Sequence, residues 1–96
     1  MSNRAHYQAE REAAMIRDGY ACQHCGKPAT QAAHMIPDRK MLIRVYGRKV
    51  IDSRHNLRAA CGLACNAALQ GRSSGPVELA RMVAEIESKI DRDAGK

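Results

Sequence analysis

The chain has 96 residues and a formal net charge of +6, and we expect one domain over 1–96 because chains of this length seldom contain two. Ile, Leu and Val together make up 15 of the 96 residues, with no Phe or Trp. This fraction is below the roughly 20% of large apolar residues at which highly charged chains tend towards disorder, so the fold needs a stabiliser besides its core. No run approaches the roughly 18 apolar residues of a membrane span, and the start of the chain lacks the apolar segment of a signal peptide, so we expect a cytoplasmic protein with no membrane partner.

The first third of the chain is predicted to contain a helix, a turn and a strand. Residues 3–18 are rich in Ala and charged residues, and their apolar positions recur near helical spacing, which predicts a helix. Gly19 is a typical residue at a helix C-terminus. We expect a tight turn over 22–27 and a short strand over 30–36, which Pro37 ends.

A short helix and a second strand are predicted next. Asp38 is well placed to cap a helix over 39–46, and Gly47 would end that helix. Residues 48–52, with the sequence RKVID, favour a second strand. A hairpin over 41–51 with its bend at Gly47 is the alternative.

The rest of the chain is predicted to be mostly helical. We expect a loop over 53–60, a helix over about 61–70, and a linker over 71–76, where Gly, Ser and Pro are concentrated. Pro76 favours the first turn of a last helix to about residue 92. Its apolar residues form one stripe that either packs on the domain, which we favour, or docks a partner helix. The stripe comprises Leu79, Val83, Ile86 and Ile90.

The four cysteines form two close pairs that are typical of a zinc site. Cys22 and Cys25 are separated by two residues, and Cys61 and Cys65 follow 35 residues later, one helical turn apart. Zinc is bound by four soft ligands in a tetrahedron, and the two pairs supply four thiolates. We therefore predict a structural Zn²⁺ that stabilises the small domain. Two disulfides or a redox pair are the alternatives, and His24 could replace a cysteine.

The positive charge is concentrated in one segment. Residues 39–72 carry eight basic side chains and one acidic side chain, whereas 1–38 and 73–96 are close to neutral. A localised basic segment is typical of a polyanion partner, and DNA is the partner that we predict. A solvated basic face without a partner is the alternative. The candidate DNA-binding residues are Arg39, Lys40, Arg44, Arg48, Lys49, Arg54, Arg58 and Arg72.

Four segments in order resemble one family. RDGYACQHCGK at 17–27, AHMIP at 33–37, YGRKVIDSRHNL at 46–57 and CGLACN at 61–66 are together similar to the HNH endonuclease family, in its zinc-stapled, phage-type form. The resemblance covers roughly 17–70. It implies an α+β fold: a small ββα-metal (HNH) domain with a structural four-cysteine zinc site and flanking N- and C-terminal helices.

The resemblance also implies the roles of three residues. His34 corresponds to the general base at the end of the first strand, and Asn56 to the middle residue that orients that base. Asn66 occupies the last motif position, which is usually His, and would bind a catalytic Mg²⁺ or Mn²⁺ through its amide oxygen. His55 and Asp52 are further possible ligands of the ion.

Other features of the motif bear on the ion. Asp38 is a third possible ligand beyond the motif residues. The residue before the base, which often contributes a ligand in this family, is Ala33 here.

The function implied by these residues is DNA endonuclease activity, which nicks or cleaves by metal-dependent hydrolysis of phosphodiester bonds. Histidine suits the base because its protonation changes near neutral pH. The alternative is a non-catalytic zinc-containing module that binds nucleic acid through the basic segment. We expect a monomer or a weak dimer, and a protein-interaction adaptor that uses the C-terminal stripe is a further possibility.

Overall fold

The computed structural model of the protein describes residues 4–70 and 75–95. Within these ranges the fold is α+β, with five α-helices, one 3-10 turn and a two-stranded sheet. In chain order the elements are α1 (Arg4–Arg17), β1 (Gln31–His34), α2 (Lys40–Tyr46), α3 (Arg48–Ile51), the 3-10 turn (Arg54–Asn56), β2 (Leu57–Ala60), α4 (Leu63–Leu69) and α5 (Pro76–Asp93). No helix in the described residues is both long enough and apolar enough to cross a membrane.

The two strands pair antiparallel although about 20 residues of helix and turn separate them in the chain. Gln31 lies opposite Ala60, and His34 lies opposite Leu57. Successive side chains of a strand point to opposite faces. Ala33 is fully buried among residues of the cysteine segment and α4, whereas His34 stacks on Tyr7 of α1. The sheet therefore presents one face to α4 and the other to α1.

The main apolar core lies beside the sheet, between α3 and α5. Val50 and Ile51 of α3 pack with Ile36 and with the buried Val83 and Ile86 of α5. Leu79 and Ile90 pack against the same cluster. The apolar stripe on the last helix thus packs on its own domain, as we favoured, and supplies aliphatic area that the short chain otherwise lacks.

The predicted second strand at 48–52 is wrong, and so is the alternative hairpin over 41–51. These residues form α3, which begins directly after Gly47, whose φ of 88° ends α2. Val50, Ile51 and Asp52 are consecutive and all buried, a pattern that a half-buried strand cannot give because its side chains alternate between faces. The β-branched residues that suggested a strand are used for packing on α5.

The predicted loop over 53–60 is also wrong, because residues 57–60 form β2. Ala59 and Ala60 pair with Ala32 and Gln31, and alanine has a low strand propensity. A strand was therefore not predictable from these residues. Burial of the alanines between α1 and α4 explains why the strand forms.

The predicted cap at Asp38 is not found either. The N-cap residue of α2 is Arg39, and no side chain caps that helix. The other boundaries agree within two residues where they can be compared: α1 ends at Arg17, α4 covers 63–69, and Pro76 begins α5. Gly71 and most of the predicted linker lie outside the described residues.

Candidate functional site

The four cysteines converge at one end of the sheet. Cys22 and Cys25 lie in the turn after α1, Cys61 follows β2, and Cys65 lies on α4. Their Sγ atoms all lie within 4.8 Å of one another, with 3.4 Å between Cys25 and Cys61 and 3.6 Å between Cys61 and Cys65. None is in a disulfide. Four thiols at this spacing can hold a metal ion such as zinc.

The electrostatics of this cluster favour a bound cation. Burial raises the pKa of the Cys22 thiol, but backbone N–H groups that include those of Cys25 and His24 outweigh burial and lower that pKa to about 6. The hydrogen bond between the Cys65 and Cys61 thiols, together with burial, raises the pKa of Cys65 to about 12. The hydrogen bond with Cys25 is the largest contributor to the raised pKa of Cys61. Thiolates this close repel one another, so a doubly charged ion is needed to ionise all four.

His34 is held in one orientation on two sides. It is the last residue of β1, and its side chain is 13% exposed. Its ring lies parallel to that of Tyr7 in α1, with 6.0 Å between the ring centroids and an angle of 6°. Its Nε2 atom lies 3.1 Å from Oδ1 of Asp52. The end of the strand thus presents an imidazole whose position is fixed by two other elements.

Asp52 contacts both His34 and Arg48, and the Arg48 guanidinium also lies near a second carboxylate, that of Asp38. It directly follows α3 and is 3% exposed. Its Oδ2 atom accepts a hydrogen bond of 2.9 Å from Arg48, one helical turn earlier, and the same guanidinium lies 3.8 Å from Asp38. Ligand atoms of His34, Asp38 and Asp52 all lie within 4.8 Å of one another, close enough to hold a metal ion.

The hydrogen bond to Asp52 fixes the protonation of the His34 ring when the imidazole is neutral. An ionised carboxylate can only accept, so we assign the proton to Nε2, which leaves Nδ1 without one. Nδ1 is then the nitrogen that can accept a proton from a substrate. A carboxylate on the other nitrogen stabilises the imidazolium that results.

Asn56 is fully buried and joins three segments by its amide. Its Oδ1 atom accepts from the backbone N–H of Ile36 at 2.8 Å, and its Nδ2 atom donates to the carbonyls of Ile36 and Ile51 at 3.1 and 2.7 Å. The residues after His34 and the end of α3 are therefore fixed to the start of β2. This brace also sets the distance between His34 and Asp52.

Asn66 is not brought together with His34. Its amide donates to Oε1 of Gln31 at 3.0 Å. Gln31 is three residues before His34 on β1, so its side chain points to the opposite face of the sheet. The α4 face, which holds Asn66 and Ala33, is thus separate from the face that holds His34.

His55 also lies apart from this cluster. Its Nε2 atom lies 2.6 Å from a carboxylate oxygen of Asp93 near the end of α5. This hydrogen bond lowers the pKa of Asp93. The pair attaches the last helix to the 3-10 turn before β2, which is a structural contact.

The predicted DNA-binding residues that the structure describes divide into three groups. Arg48 is paired with Asp52, and Arg54 contacts both carboxylate oxygens of Glu10 at 3.1 Å. Arg58 is partly buried and donates to backbone carbonyls, and its burial lowers its pKa. Arg72 lies outside the described residues. The exposed members, which form no ion pair with any residue that the structure describes, are Arg39, Lys40, Arg44 and Lys49.

Three contacts at these sites were missed from the sequence. The spacing of Arg48 and Asp52, four residues apart, is a readable signal for a pair on one helical turn. Nothing in the sequence points to the stacking of Tyr7 on His34, or to the bond between Gln31 and Asn66, because both join residues that are distant along the chain.

Comparison with known proteins gives no significant match: no family model matches the chain, and neither a curated protein nor a solved structure is significantly similar to it. A function for this chain can therefore be inferred only from its own residues and their arrangement.

Proposed function

We propose that this protein is a metal-dependent DNA endonuclease of the HNH type, with His34 as its general base. The observation that carries the proposal is the hydrogen bond between Nε2 of His34 and Asp52. It provides an oriented imidazole beside a carboxylate cluster at the end of a strand. The ordered motif segments and the exposed cations of α2 and α3 support DNA as the substrate.

In this proposal Nδ1 of His34 accepts a proton from the water that attacks the phosphodiester phosphorus. The bond from phosphorus to the 3′ oxygen breaks, which leaves a 5′-phosphate and, after protonation, a 3′-hydroxyl. Asp52 stabilises the imidazolium through Nε2 and keeps the ring in place. Asn56 acts as a positioning residue through the backbone of Ile36.

The cluster around His34 also fits the divalent ion that this reaction needs. A bound Mg²⁺ or Mn²⁺ would neutralise the charge that develops on the phosphate and on the leaving oxygen. We propose that Asp38 and Asp52 hold it, since carboxylate oxygens suit such ions, and that His34 stays beside them as the base. Asn66 is less suitable as a ligand of this ion than the motif implies, because it lies on the face of the sheet opposite His34, where its amide N–H donates to Gln31.

We further propose that the four cysteines bind a structural Zn²⁺. Four protein ligands complete the coordination of zinc and leave no open position for a substrate. The ion would fix the turn after α1 to the start of α4, on the face of the sheet opposite His34. Its role is to hold the sheet that carries the base.

A zinc-containing module that binds nucleic acid without cutting it is the second candidate. Two observations favour it: Ala33 supplies no ligand before the base, and Asn66 lies on the face of the sheet opposite His34. Incubation of zinc-loaded protein with supercoiled plasmid separates the two functions. The endonuclease produces nicked or linear plasmid when Mg²⁺ or Mn²⁺ is added, whereas the binding module retards the plasmid in a gel and leaves it supercoiled.

A further inference from the structure

The junction of α3, the 3-10 turn and α5 forms a charged groove away from the catalytic cluster. One part encloses about 350 Å³ that is open to solvent and is lined by residues that include Lys49, His55 and Asp93. A second part, of about 550 Å³, shares His55 and Asp93 and adds Lys89 and Arg92 of α5. The two parts therefore adjoin at His55 and Asp93.

The acidic side chains of this groove are already paired within the protein. Glu10 accepts from the backbone N–H of Arg54 at 2.7 Å and from its guanidinium. Burial raises the pKa of Glu10, but these bonds together outweigh burial and lower that pKa below its usual value. Asp93 is bonded to His55 at 2.6 Å.

Three basic side chains of the groove are not paired in this way. Lys49, Lys89 and Arg92 are exposed, and none of them forms an ion pair with a residue in the ranges 4–70 and 75–95. Since Arg54 balances the charge of Glu10, these three cations outnumber the remaining carboxylate, Asp93, and the excess of positive charge attracts an anion.

The fold also places these cations next to the basic segment. Residues 73–96 have a net charge of −1, so the sequence alone assigns them no DNA contact. In the structure Lys89 and Arg92 of this segment lie beside His55 and Asp93, which also line the part of the groove that contains Lys49, one of the exposed cations of α2 and α3. The fold thus brings cations of α5 to the same junction as a cation of the basic segment.

We propose that this groove binds the DNA backbone, with Lys49, Lys89 and Arg92 contacting phosphates. The inference depends on DNA as the partner in the proposed function, and it adds a second anchoring point that the basic segment alone does not include. Contacts of this kind strengthen binding without reading sequence.

The salt dependence of DNA binding tests the proposal without any cleavage. Binding of zinc-loaded full-length protein to a fluorescent duplex is measured by anisotropy at several salt concentrations, with no other divalent metal added. Each lost phosphate contact lowers the slope of log affinity against log salt by about one. The Lys89→Gln/Arg92→Gln variant should therefore lower the slope by about two.

The matched control removes two exposed positive charges elsewhere. Arg81 lies on α5 and is paired with Glu78 at 3.5 Å, and Lys27 lies in the cysteine turn. The Lys27→Gln/Arg81→Gln variant should keep nearly the wild-type slope. Equal slopes for both double variants would overturn the groove as a DNA contact, and failure of the wild type to bind duplex at any salt would overturn the DNA partner and the groove together. Cleavage is a separate readout: if the wild type binds duplex and the two double variants differ in slope as predicted, but the wild type does not cut DNA, the nuclease proposal fails and the groove proposal stands.

Discussion

Nε2 of His34 lies 3.1 Å from Oδ1 of Asp52, and this bond joins the end of β1 to the end of α3. The two residues are 18 positions apart in the sequence, and the buried amide of Asn56 fixes the segments that carry them. The Tyr7 ring supports the imidazole from α1. A histidine in this arrangement has a fixed tautomer and a fixed direction, which are the properties that a general base requires.

Asp52→Asn should reduce DNA cleavage without abolishing DNA binding. The asparagine amide cannot stabilise an imidazolium as a carboxylate does, and loss of an orienting partner commonly lowers activity by roughly 10–100-fold. Single-turnover nicking rates measure the effect, and duplex affinity in the absence of Mg²⁺ provides the control. A variant that cuts at the wild-type rate would show that Asp52 does not support the base.

The position of the divalent ion can be measured by Mn²⁺ binding without DNA. If the carboxylates near His34 hold the ion, Asp38→Asn should weaken Mn²⁺ binding by roughly tenfold or more. Asn66→Ala should change it little, because Asn66 lies on the face of the sheet opposite His34. Electron paramagnetic resonance of the free ion gives both affinities. The reverse order of the two effects would place the ion at Asn66, as the family motif implies.

Asn56→Ala should destabilise the whole domain. The substitution leaves the N–H and carbonyl of Ile36 and the carbonyl of Ile51 without their side-chain partner. We expect the free energy of unfolding to fall by roughly 2–4 kcal/mol, since each buried polar group without a partner costs about 1–3 kcal/mol. Urea unfolding followed by circular dichroism measures the change. Asn66→Ala, which removes one partly buried bond, is the matched control and should lower it by about 1 kcal/mol; equal effects would contradict the bracing role of Asn56.

Removal of zinc should unfold the protein. The core contains few large aliphatic residues, and small metal-stabilised domains obtain much of their folding free energy from the ion. Chelation at neutral pH should abolish the cooperative thermal transition, and added Zn²⁺ should restore it whereas Mg²⁺ should not. Elemental analysis should find one zinc ion per chain, and none in Cys25→Ser/Cys61→Ser. A cooperative transition that persists after complete loss of zinc would contradict the structural role.

Local sequence signals predicted some parts of this fold and not others. The spacing of the cysteines predicted the cluster of four thiols, because the two thiols of each close pair must lie near each other and two such pairs can meet in a compact chain. The helices α1, α4 and α5 were predictable from alanine content, glycine and proline. Residues 48–52 and 57–60 were assigned wrongly, because packing against α5 overrides the strand preference of Val50 and Ile51, and because β2 is built partly from alanines.

The candidate site around His34 was likewise predictable only in part. Placement of His34 at the end of a strand followed from the motif and from Pro37, and Asp52 was predicted only as a possible ligand of the ion. The bond of Asp52 to His34 depends on α3, which the sequence did not predict. The stacking of Tyr7 and the separation of Asn66 from His34 depend on the packing of distant elements.

The most direct test of His34 as a general base is the rate of plasmid nicking by His34→Ala, with Gln8→Ala as a control on the exposed surface of α1. Both variants must retain zinc and the wild-type circular dichroism spectrum. We predict that with added Mg²⁺ or Mn²⁺ the wild type and Gln8→Ala nick supercoiled DNA, and that His34→Ala is slower by roughly 10²–10⁴-fold. Equal nicking by folded His34→Ala, or no nicking by the wild type with either metal, would contradict the account.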